Sequence, residues 1–447
     1  MKAYDVVVIG GSAAGITAAI TARRHYPDKS VLVIRKDEAA VIPCGIPYVF
    51  GELGTCDQNL IPDTVLSRNG IDLLVDEATS IDREHKTVET AGGERIGYDR
   101  LVIATGSVPV VPPIPGLDKK NVYAIEKSVP YLDQMIEAMK GAKDILIVGC
   151  GFIGVEIAEE CVRHYDAKVR IVEMLRHCLQ LTYDEEFSVK AEEALHAQGI
   201  DLFVSQRLEE LVGGEEATGA RLSDGQVIPA DMVILGIGAK ANTTLASEAG
   251  LELGPTHGIQ VNRYMQTNDP NIFACGDCAE KVSFYDGRPS QLKLASIATM
   301  EARIAGADLF GLRRANSGVI GVYSTVLGDI AFCAAGLTEA MAIEKGFRVM
   351  VGSAEGINRH PASMPGGAML KVKLVFEAGT GVLLGGQVSG AKSGGELING
   401  IAGCIHNRMT ADDIATFQVG THPWLTASPI SYQLVSAAEL AIASSRK

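Results

Sequence analysis

The order of apolar and polar positions repeats once along the chain. An apolar run at residues 6–9 is followed by a glycine-rich turn, a helix-length stretch rich in alanine and a β-branched run at 31–34. The same order returns later, with runs at 145–148 and 169–172. Short continuous apolar runs are typical of strands buried in a parallel sheet. The pattern therefore predicts two βαβ units, with helices at 16–24 and 155–163.

The second glycine-rich turn contains all three glycines of a dinucleotide loop, Gly149, Gly151 and Gly154. Such a turn at the start of a helix lets backbone N–H groups approach a pyrophosphate. Glu173 ends the next strand, where a carboxylate binds the adenosine ribose 2′-OH of NAD. The loop therefore predicts an NADH site. NADPH stays open as an alternative, because two arginines lie close to Glu173.

The first glycine-rich turn is less regular. Gly10 and Gly15 are present, but Ser12 replaces the middle glycine. Arg35 stands where the ribose-binding acid is expected, and acidic residues follow at 37 and 38. We still predict a dinucleotide at this loop, with Arg35 beside it.

Proline, glycine and strand patterns divide the chain into three predicted domains. A proline-rich connector at 109–116 ends the first segment, and the segment 271–277 has no counterpart in the second βαβ unit. A strand at 369–376 and a helix at 395–407 indicate a separate α+β region. We predict an α/β protein with two Rossmann-like domains and a C-terminal α+β domain, covering 1–118 with 245–325, 119–244, and 326–447.

Charge and hydropathy restrict the possible partners. The net charge of −14 over 447 residues argues against nucleic acid, which requires clustered lysine and arginine. The longest apolar runs have the length of strands and are too short to cross a membrane. A strand pattern begins within a few residues of Met1 and leaves no room for a signal peptide. We therefore expect a cytoplasmic protein that binds neither nucleic acid nor membrane.

One cysteine of the nine stands in a reactive sequence context. Cys44 lies between Pro43 and Gly45, before a segment that can be helical, and a helix N-terminus lowers a thiol pKa. Its next neighbour, Cys56, is twelve residues away, so the chemistry would use one thiol. That thiol can attack a disulfide or persulfide, or cycle through a sulfenic acid with peroxide. A buried, inert cysteine is the alternative interpretation.

Cys275 and Cys278 form a CxxC pair. A second CxxC or a pair of histidines with ligand spacing would be expected for zinc, and neither is present in the sequence. We therefore predict no metal site.

Three segments together resemble the FAD-dependent pyridine nucleotide-disulfide oxidoreductase family, and within it the single-cysteine branch. They are 98–106, 272–277 and the Cys44 segment through Tyr48. The branch holds coenzyme A disulfide reductases, NAD(P)H persulfide or polysulfide reductases, NADH oxidases and NADH peroxidases. The resemblance implies that the three predicted ranges are, in order, an FAD domain, an NAD domain and a dimerisation domain. It also implies a homodimer.

The resemblance also implies roles for individual residues. Thr105, Gly106, Gly276 and Asp277 would bind FAD, with Asp277 at the ribityl chain, and Glu156 would lie beside the nicotinamide. The CxxC pair would then flank a flavin-binding turn. A further group occupies positions where coenzyme A disulfide reductases contact their substrate: Thr17, Thr21 and Arg24.

The C-terminal part departs from the coenzyme A disulfide reductases. Segments 359–365 and 421–428 lack the tyrosines that those enzymes place near the cysteine. His422 is similar to the partner-subunit acid/base of the dithiol branch, although Ala427 occupies the approximate place of the glutamate that orients it. A structural role for His422 is the alternative, and His360 is a second candidate.

These features predict an FAD-dependent enzyme that uses NADH to reduce a disulfide, persulfide or polysulfide, of coenzyme A type, through Cys44. Two alternatives stay open. One is an NADH oxidase or peroxidase in which Cys44 cycles through a sulfenic acid. The other is a flavoprotein that passes electrons to a protein acceptor.

Overall fold

The computed structural model describes residues 2–445, which form two compact units. The first consists of segments 2–112, 124–141 and 237–319, and the second of segments 113–123, 142–236 and 320–445. The predicted α/β class is confirmed. The boundaries of the three predicted domains stay a prediction, and the last two residues of the range 326–447 lie outside the described residues.

The first unit is built on a seven-stranded sheet. Its strands in spatial order are Asp72–Val75, Val31–Arg35, Lys2–Ile9, Arg95–Ile103, Thr87–Thr90 and Ala78–Asp82, and Ile272–Ala274 also pairs with Arg95–Ile103. Three small ladders accompany it: Ala40–Val41 with Leu60–Ile61, Ser107–Pro109 with Ala239–Ala241, and Lys281–Val282 with Pro289–Ser290. The helices are Ala13–His25, Ile46–Val49, Thr64–Ser67, Val129–Gly141, Thr244–Glu248 and Ala295–Asp308, with short 3₁₀ turns at Pro43–Gly45, Cys56–Asn59 and Gly276–Cys278.

The second unit contains three sheets. They are Val122–Ala124, Met232–Leu235, Asp144–Val148, Lys168–Val172 and Asp201–Phe203; Leu208–Val212, Gly219–Leu222 and Val227–Pro229; and Val322–Leu327, Ile330–Gly336, Leu383–Gly390, Met369–Glu377 and Val349–Ile357. The helices are Phe152–His164, Glu185–Ala197, Glu339–Glu344, Gly394–His406, Ala411–Ala415 and Gln433–Ser445, with a 3₁₀ turn at Pro429–Ser431.

Both predicted βαβ units are present. In the first, Val6–Ile9 pairs in parallel with Val31–Ile34, and in the second, Ile145–Val148 pairs in parallel with Val169–Val172. The central strand residues are almost fully excluded from solvent. Continuous burial on both faces explains why these strands read as apolar runs without alternation.

Two helices of the first unit pack with unusually little space between them. Ala18, Ala19 and Ala22 are buried on the helix Ala13–His25, which packs on the helix Ala295–Asp308. A Cβ atom at Gly306 would lie 2.5 Å from the carbonyl oxygen of Ala18. The alanines of the first helix and Gly306 of the second therefore allow the two helices to approach closely.

We expect Gly306→Ala to lower the free energy of unfolding by about 1–3 kcal/mol, because the new methyl group meets backbone atoms that cannot move independently. Urea titration of the FAD-loaded protein measures the change. Gly311→Ala is the matched control, since a Cβ there meets nothing within 4 Å. Equal stability of the two variants would contradict this account of the helix contact.

Candidate active site

The first glycine-rich loop forms a close turn at the start of the helix Ala13–His25. Gly10 has φ +121°, and a Cβ on it would lie 2.2 Å from the carbonyl oxygen of Ala104. A Cβ on Gly15 would lie 1.8 Å from the carbonyl oxygen of Gly10. Ser12 is the N-cap residue, and its side chain makes no capping hydrogen bond. The first N–H groups of the helix therefore remain available for an anion such as a pyrophosphate.

Three loops meet at one edge of the sheet of the first unit. Ile9 lies opposite Ile103 in parallel register, and Ile103 lies opposite Ala274. Because parallel strands end at the same edge, the turns that follow these three residues are neighbours. The sequence-predicted residues of those turns are thus brought together: Gly10, Ser12, Thr105, Gly106, Gly276 and Asp277.

Asp277 is held by two polar side chains. Its Oδ2 accepts a hydrogen bond of 2.8 Å from the hydroxyl of Ser107 and lies 3.9 Å from Nζ of Lys127. The preceding Gly276 has φ +79°, and a Cβ there would lie 2.8 Å from Cβ of Ala14. Thr105 donates a 2.7 Å hydrogen bond to the carbonyl of Asn242. These contacts bring the Asp277 carboxylate and the start of the helix into one cradle, which fits a dinucleotide.

A buried ion pair supports this cradle from within the unit. Lys281 Nζ lies 2.9 Å from Glu301 Oε2, and the side chains are 3% and 0% exposed. The same Glu301 oxygen accepts from the N–H of Gly276, while Lys281 donates to the carbonyl of Gly276. Burial raises the pKa of Glu301 to about 7. The sequence reasoning missed this pair; its only signal is the carboxylate of Glu301 in the largely apolar stretch 297–302.

The side chain of Arg35 is buried and forms an ion pair. Its Nη1 lies 2.6 Å from Oδ1 of Asp63, and its remaining donors bind the carbonyls of Asp37 and Glu38. A Cβ at Gly11 would lie 2.5 Å from the Arg35 side chain. Arg35 is therefore packed beneath the first loop, where its guanidinium group pairs with the carboxylate of Asp63. Its contact with cofactor stays a prediction.

Cys44 is the exposed cysteine of the chain; the other eight, all within the described residues, are buried. It lies in the 3₁₀ turn Pro43–Gly45, directly before the four-residue helix Ile46–Val49. Asn59 anchors this turn, since its carbonyl accepts from the N–H of Ile42 and its Nδ2 donates to the Ile42 carbonyl. The exposed thiol is thus presented by a fixed loop.

The buried thiols are poor nucleophiles by comparison. Burial raises the pKa of Cys56 to about 12, and it also raises the pKa values of Cys275 and Cys278. The thiol of Cys278 lies 3.3 Å from the carbonyl oxygen of Cys275, and the two cysteines are not joined by a disulfide. Only the thiolate is nucleophilic, so these environments disfavour reaction.

The predicted substrate residues lie on the helix Ala13–His25 in different environments. Arg24 is exposed and Thr17 is partly buried. Thr21 is buried, and a Cβ on Gly306 would lie 2.9 Å from it. The structure thus leaves Arg24 the most accessible of the three. Their contact with substrate stays a prediction.

The second glycine-rich loop has the same construction as the first. Gly149 has φ +103°, and a Cβ on Gly154 would lie 2.0 Å from the Gly149 carbonyl oxygen. Gly151 caps the helix Phe152–His164 without a side-chain hydrogen bond, and a Cβ on it would meet nothing within 4 Å. This helix start is again open to an anion.

Glu173 is fixed at the second loop by two backbone donors. Its Oε2 accepts a 2.7 Å hydrogen bond from the N–H of Cys150, and its Oε1 accepts a 2.8 Å bond from the N–H of Leu175. Cys150 is also joined to Cys178 by a disulfide bond. The sequence reasoning missed this bond, whose signal was a cysteine inside the loop and another five residues after Glu173.

Glu156 lies one turn into the same helix. Burial raises its pKa to about 7, and the neighbouring carboxylates Glu159 and Glu160 add to the shift. The hydroxyl of Thr325 donates a 2.8 Å hydrogen bond to Glu156 Oε1 and opposes the shift. Its contact with the nicotinamide stays a prediction.

The two candidate histidines meet at the turn 422–426 of the second unit, which contains His422 and contacts His360. The N–H of Trp424 donates to Nδ1 of His422 at 3.3 Å, and His422 is exposed. Nδ1 of His360 lies 3.0 Å from the carbonyl oxygen of Thr426. Ala427 is buried and offers no carboxylate to either ring. The role of each histidine in catalysis stays a prediction.

Comparison with known proteins identifies the family. Residues 4–302 match the model for pyridine nucleotide-disulphide oxidoreductases, and residues 322–429 match the dimerisation domain of the same enzymes. The chain belongs to this family. The predicted enzyme class and its dependence on FAD and NAD(P)H are thereby confirmed.

Several known proteins are similar to this oxidoreductase chain over most of its length. An NADH oxidase of Methanocaldococcus jannaschii is 32% identical, with 92% of this chain and 93% of that protein covered. An NAD(P)H coenzyme A polysulfide/persulfide reductase of Pyrococcus horikoshii is 33% identical, with 86% and 87% covered. The structure of an NAD-dependent persulfide reductase from A. fulgidus matches with a TM-score of 0.91 at 31% identity, over 98% of this chain and 83% of that one.

Within residues 2–445, no helix combines the length and apolar character needed to cross a membrane.

We expect Lys281→Met to lower the fraction of protein that retains FAD, because Glu301 is left in a buried site without its cation. The same change is expected to lower the free energy of unfolding by about 3 kcal/mol. Flavin absorbance after gel filtration and a urea titration measure the two effects. The double variant Lys281→Met/Glu301→Gln removes both charges and should recover most of the loss. Unchanged FAD retention in the single variant would refute a supporting role for the pair.

The raised pKa of Glu156 predicts a pH-dependent stability. Between its ordinary pKa of 4.5 and its folded value of about 7, the folded state holds more protons than the unfolded state, so stability falls as pH rises through this range. Glu156→Gln should therefore be more stable than the parent protein at pH 8, by about 3 kcal/mol, and should nearly match it at pH 4.5. Urea titrations at both pH values test this. A constant difference between the proteins would show that Glu156 does not titrate in this range.

Proposed function

We propose that this chain is an FAD-dependent enzyme that uses NADH to reduce a disulfide, persulfide or polysulfide linked to coenzyme A, with Cys44 as the reacting thiol. The observation that carries the proposal is the accessibility of Cys44 in an anchored turn while every other cysteine is buried. The names of the Pyrococcus horikoshii and A. fulgidus relatives support the substrate class.

The proposed chemistry divides between the chain and its cofactor. The Cys44 thiolate attacks one sulfur of a substrate R–S–S–R, a Cys44–S–S–R bond forms, and one thiolate RS⁻ leaves. FAD, when bound, supplies the two electrons of NADH that split this mixed disulfide into the Cys44 thiolate and a second RS⁻. The residues Thr105, Gly106, Gly276 and Asp277 hold FAD, while Glu173 and the second loop hold NADH.

The remaining site assignments belong to the same proposal. Arg24 binds the phosphate groups of the coenzyme A moiety, and Thr17 and Thr21 occupy neighbouring substrate-contacting positions. His422 of the other subunit protonates the leaving thiolate, the general-acid role that an imidazole side chain commonly performs. The FAD, NAD and dimerisation domains occupy the ranges predicted from the sequence.

We also propose a homodimer in the cytoplasm. The dimerisation model covers residues 322–429, and four apolar side chains near the end of the chain are exposed by 44–94%: Phe417, Trp424, Leu425 and Ile430. Exposed large apolar side chains close together in the chain favour an interface in this segment.

An NADH oxidase or peroxidase is the second candidate. The Methanocaldococcus jannaschii relative carries that name, and an exposed thiol also supports cycling through a sulfenic acid. In this alternative, peroxide oxidises Cys44 and the electrons of NADH return it to the thiolate with release of water.

Anaerobic NADH consumption distinguishes the candidates when coenzyme A disulfide, coenzyme A persulfide and hydrogen peroxide are compared. We expect rapid turnover with a sulfur substrate and a loss of at least about 10³-fold in Cys44→Ser, because the nucleophile is removed. Reduction of FAD by NADH in a single turnover should persist in that variant.

Cys56→Ser is the matched control, because Cys56 is buried and lies twelve residues from Cys44. It should retain turnover. Consumption with peroxide alone would replace the reductase proposal by the oxidase or peroxidase, and full activity of Cys44→Ser toward a protein acceptor would favour an electron-transfer flavoprotein.

A further inference from the structure

The second glycine-rich loop carries a covalent feature that the proposed reaction does not use. Cys150 occupies the position between Gly149 and Gly151, and its sulfur is bonded to Cys178. We propose that Cys150 and Cys178 form a second thiol–disulfide redox site, separate from Cys44, whose oxidation state sets the affinity of this loop for NAD(H). The inference rests on the proposed assignment of the second loop to NAD(H).

The bond joins the two chain segments that flank the Glu173 carboxylate. On one side, the N–H of Cys150 donates to Oε2 of Glu173 at 2.7 Å. On the other side, the N–H of Leu175 donates to Oε1 at 2.8 Å. The residues 174–182 that lead to and past Cys178 form no regular helix or strand. A crosslink between the loop and this segment therefore fixes both sets of donors around the carboxylate.

Two backbone hydrogen bonds also anchor the segment around Cys178. The N–H of Cys178 donates to Oε1 of Glu192, on the helix Glu185–Ala197, at 2.9 Å. The N–H of Leu179 donates to the carbonyl of Cys150 at 2.9 Å. Leu179 has φ +58°, a left-handed conformation that is unfavourable for leucine. The hydrogen bond to Cys150 and the adjacent disulfide both restrain this conformation.

Reduction must change this arrangement. Cys150 and Cys178 are 1% and 0% exposed, and two thiol sulfurs cannot approach as closely as two bonded ones. Because the surroundings are closely packed, the larger distance between the two sulfurs requires the loop or the segment 174–182 to move. Because Leu179 holds an unfavourable left-handed conformation next to this bond, we expect its relaxation to displace the donors around Glu173. A site that must be ordered on binding has a lower affinity than one already ordered.

The chemistry balances with the compounds of the proposed reaction. A thiolate of the pair attacks a low-molecular-weight disulfide RSSR, forms a mixed disulfide and releases one RSH. The second cysteine attacks the mixed disulfide, forms the Cys150–Cys178 bond and releases another RSH. The net step oxidises two cysteine thiols and reduces one RSSR to two RSH. Accumulated disulfide substrate would thus strengthen binding of the reductant NADH, and accumulated thiol product would weaken it.

The test measures NAD⁺ binding by calorimetry on the FAD-loaded protein in a Cys44→Ser background, where the catalytic thiol cannot react. Samples are equilibrated with oxidised or reduced dithiothreitol, and peptide mass mapping reports the state of the pair. We expect the dissociation constant for NAD⁺ to rise about tenfold on reduction. Cys178→Ala should show the higher value in both samples, because it cannot form the bond.

A reciprocal measurement follows from linkage. If the disulfide tightens NAD⁺ binding tenfold, saturating NAD⁺ must stabilise the disulfide by the same factor. The midpoint potential of the Cys150–Cys178 pair should then fall by about 30 mV, the two-electron equivalent of a tenfold change. This readout needs no turnover.

Cys161→Ala is the matched control, because Cys161 is a buried thiol on the same helix as the loop and lies outside the disulfide. It should leave the affinity and its redox dependence unchanged. Equal affinity of the oxidised and reduced proteins would overturn the switch, and so would a disulfide that dithiothreitol reduces only on unfolding.

Glu173→Ala separates a failed switch from a failed site. Weaker NAD⁺ binding in Glu173→Ala, without any redox effect in the parent, would retain the loop as the NAD(H) site and refute only the switch. Unchanged binding in Glu173→Ala would refute the site assignment, and the proposed switch with it.

Discussion

The parallel register of three strands is the constraint on which the FAD cradle depends. Ile9, Ile103 and Ala274 lie side by side, and each is the last residue of its strand. The chain must turn at the same edge after every one of them, although the third strand lies far away in sequence. The turns approach so closely that a side chain at Gly10 would strike the carbonyl of Ala104. Glycine is therefore required by the packing of backbone against backbone as well as by any ligand.

Buried charge is the second feature of the first unit that sequence patterns do not display. Lys281 and Glu301 are nearly inaccessible to solvent, and each hydrogen bonds to the backbone of Gly276. Replacing such a pair by apolar residues is often tolerated in other proteins, whereas removing one member is costly. Here the pair is connected to the turn that presents Asp277, so its geometry and the geometry of the cradle are coupled. Arg35 beneath the first loop is also buried, but its partner Asp63 is 53% exposed, so that pair remains in contact with water.

The second unit repeats the loop but stabilises it differently. At the first loop an arginine packs against Gly11, whereas at the second a carboxylate accepts from Cys150 and Leu175 and a disulfide closes the same region. Each loop opens a helix whose first N–H groups have no side-chain cap. The two sites therefore share the backbone chemistry that attracts phosphate and differ in the side chains that surround it.

The sequence by itself determined the α/β class, both βαβ units and the family, because glycine spacing and apolar runs are local patterns that the backbone obeys directly. The residues that flank Cys44 also distinguished it from the other cysteines. Only the tertiary structure decided which residues meet across long separations: Asp63 with Arg35, Lys281 with Glu301, and Cys150 with Cys178. It also decided that Thr21 is buried at a helix contact while Arg24 is exposed. These pairings follow from strand order and helix packing, and neither the spacing nor the type of the residues specifies which strands become neighbours.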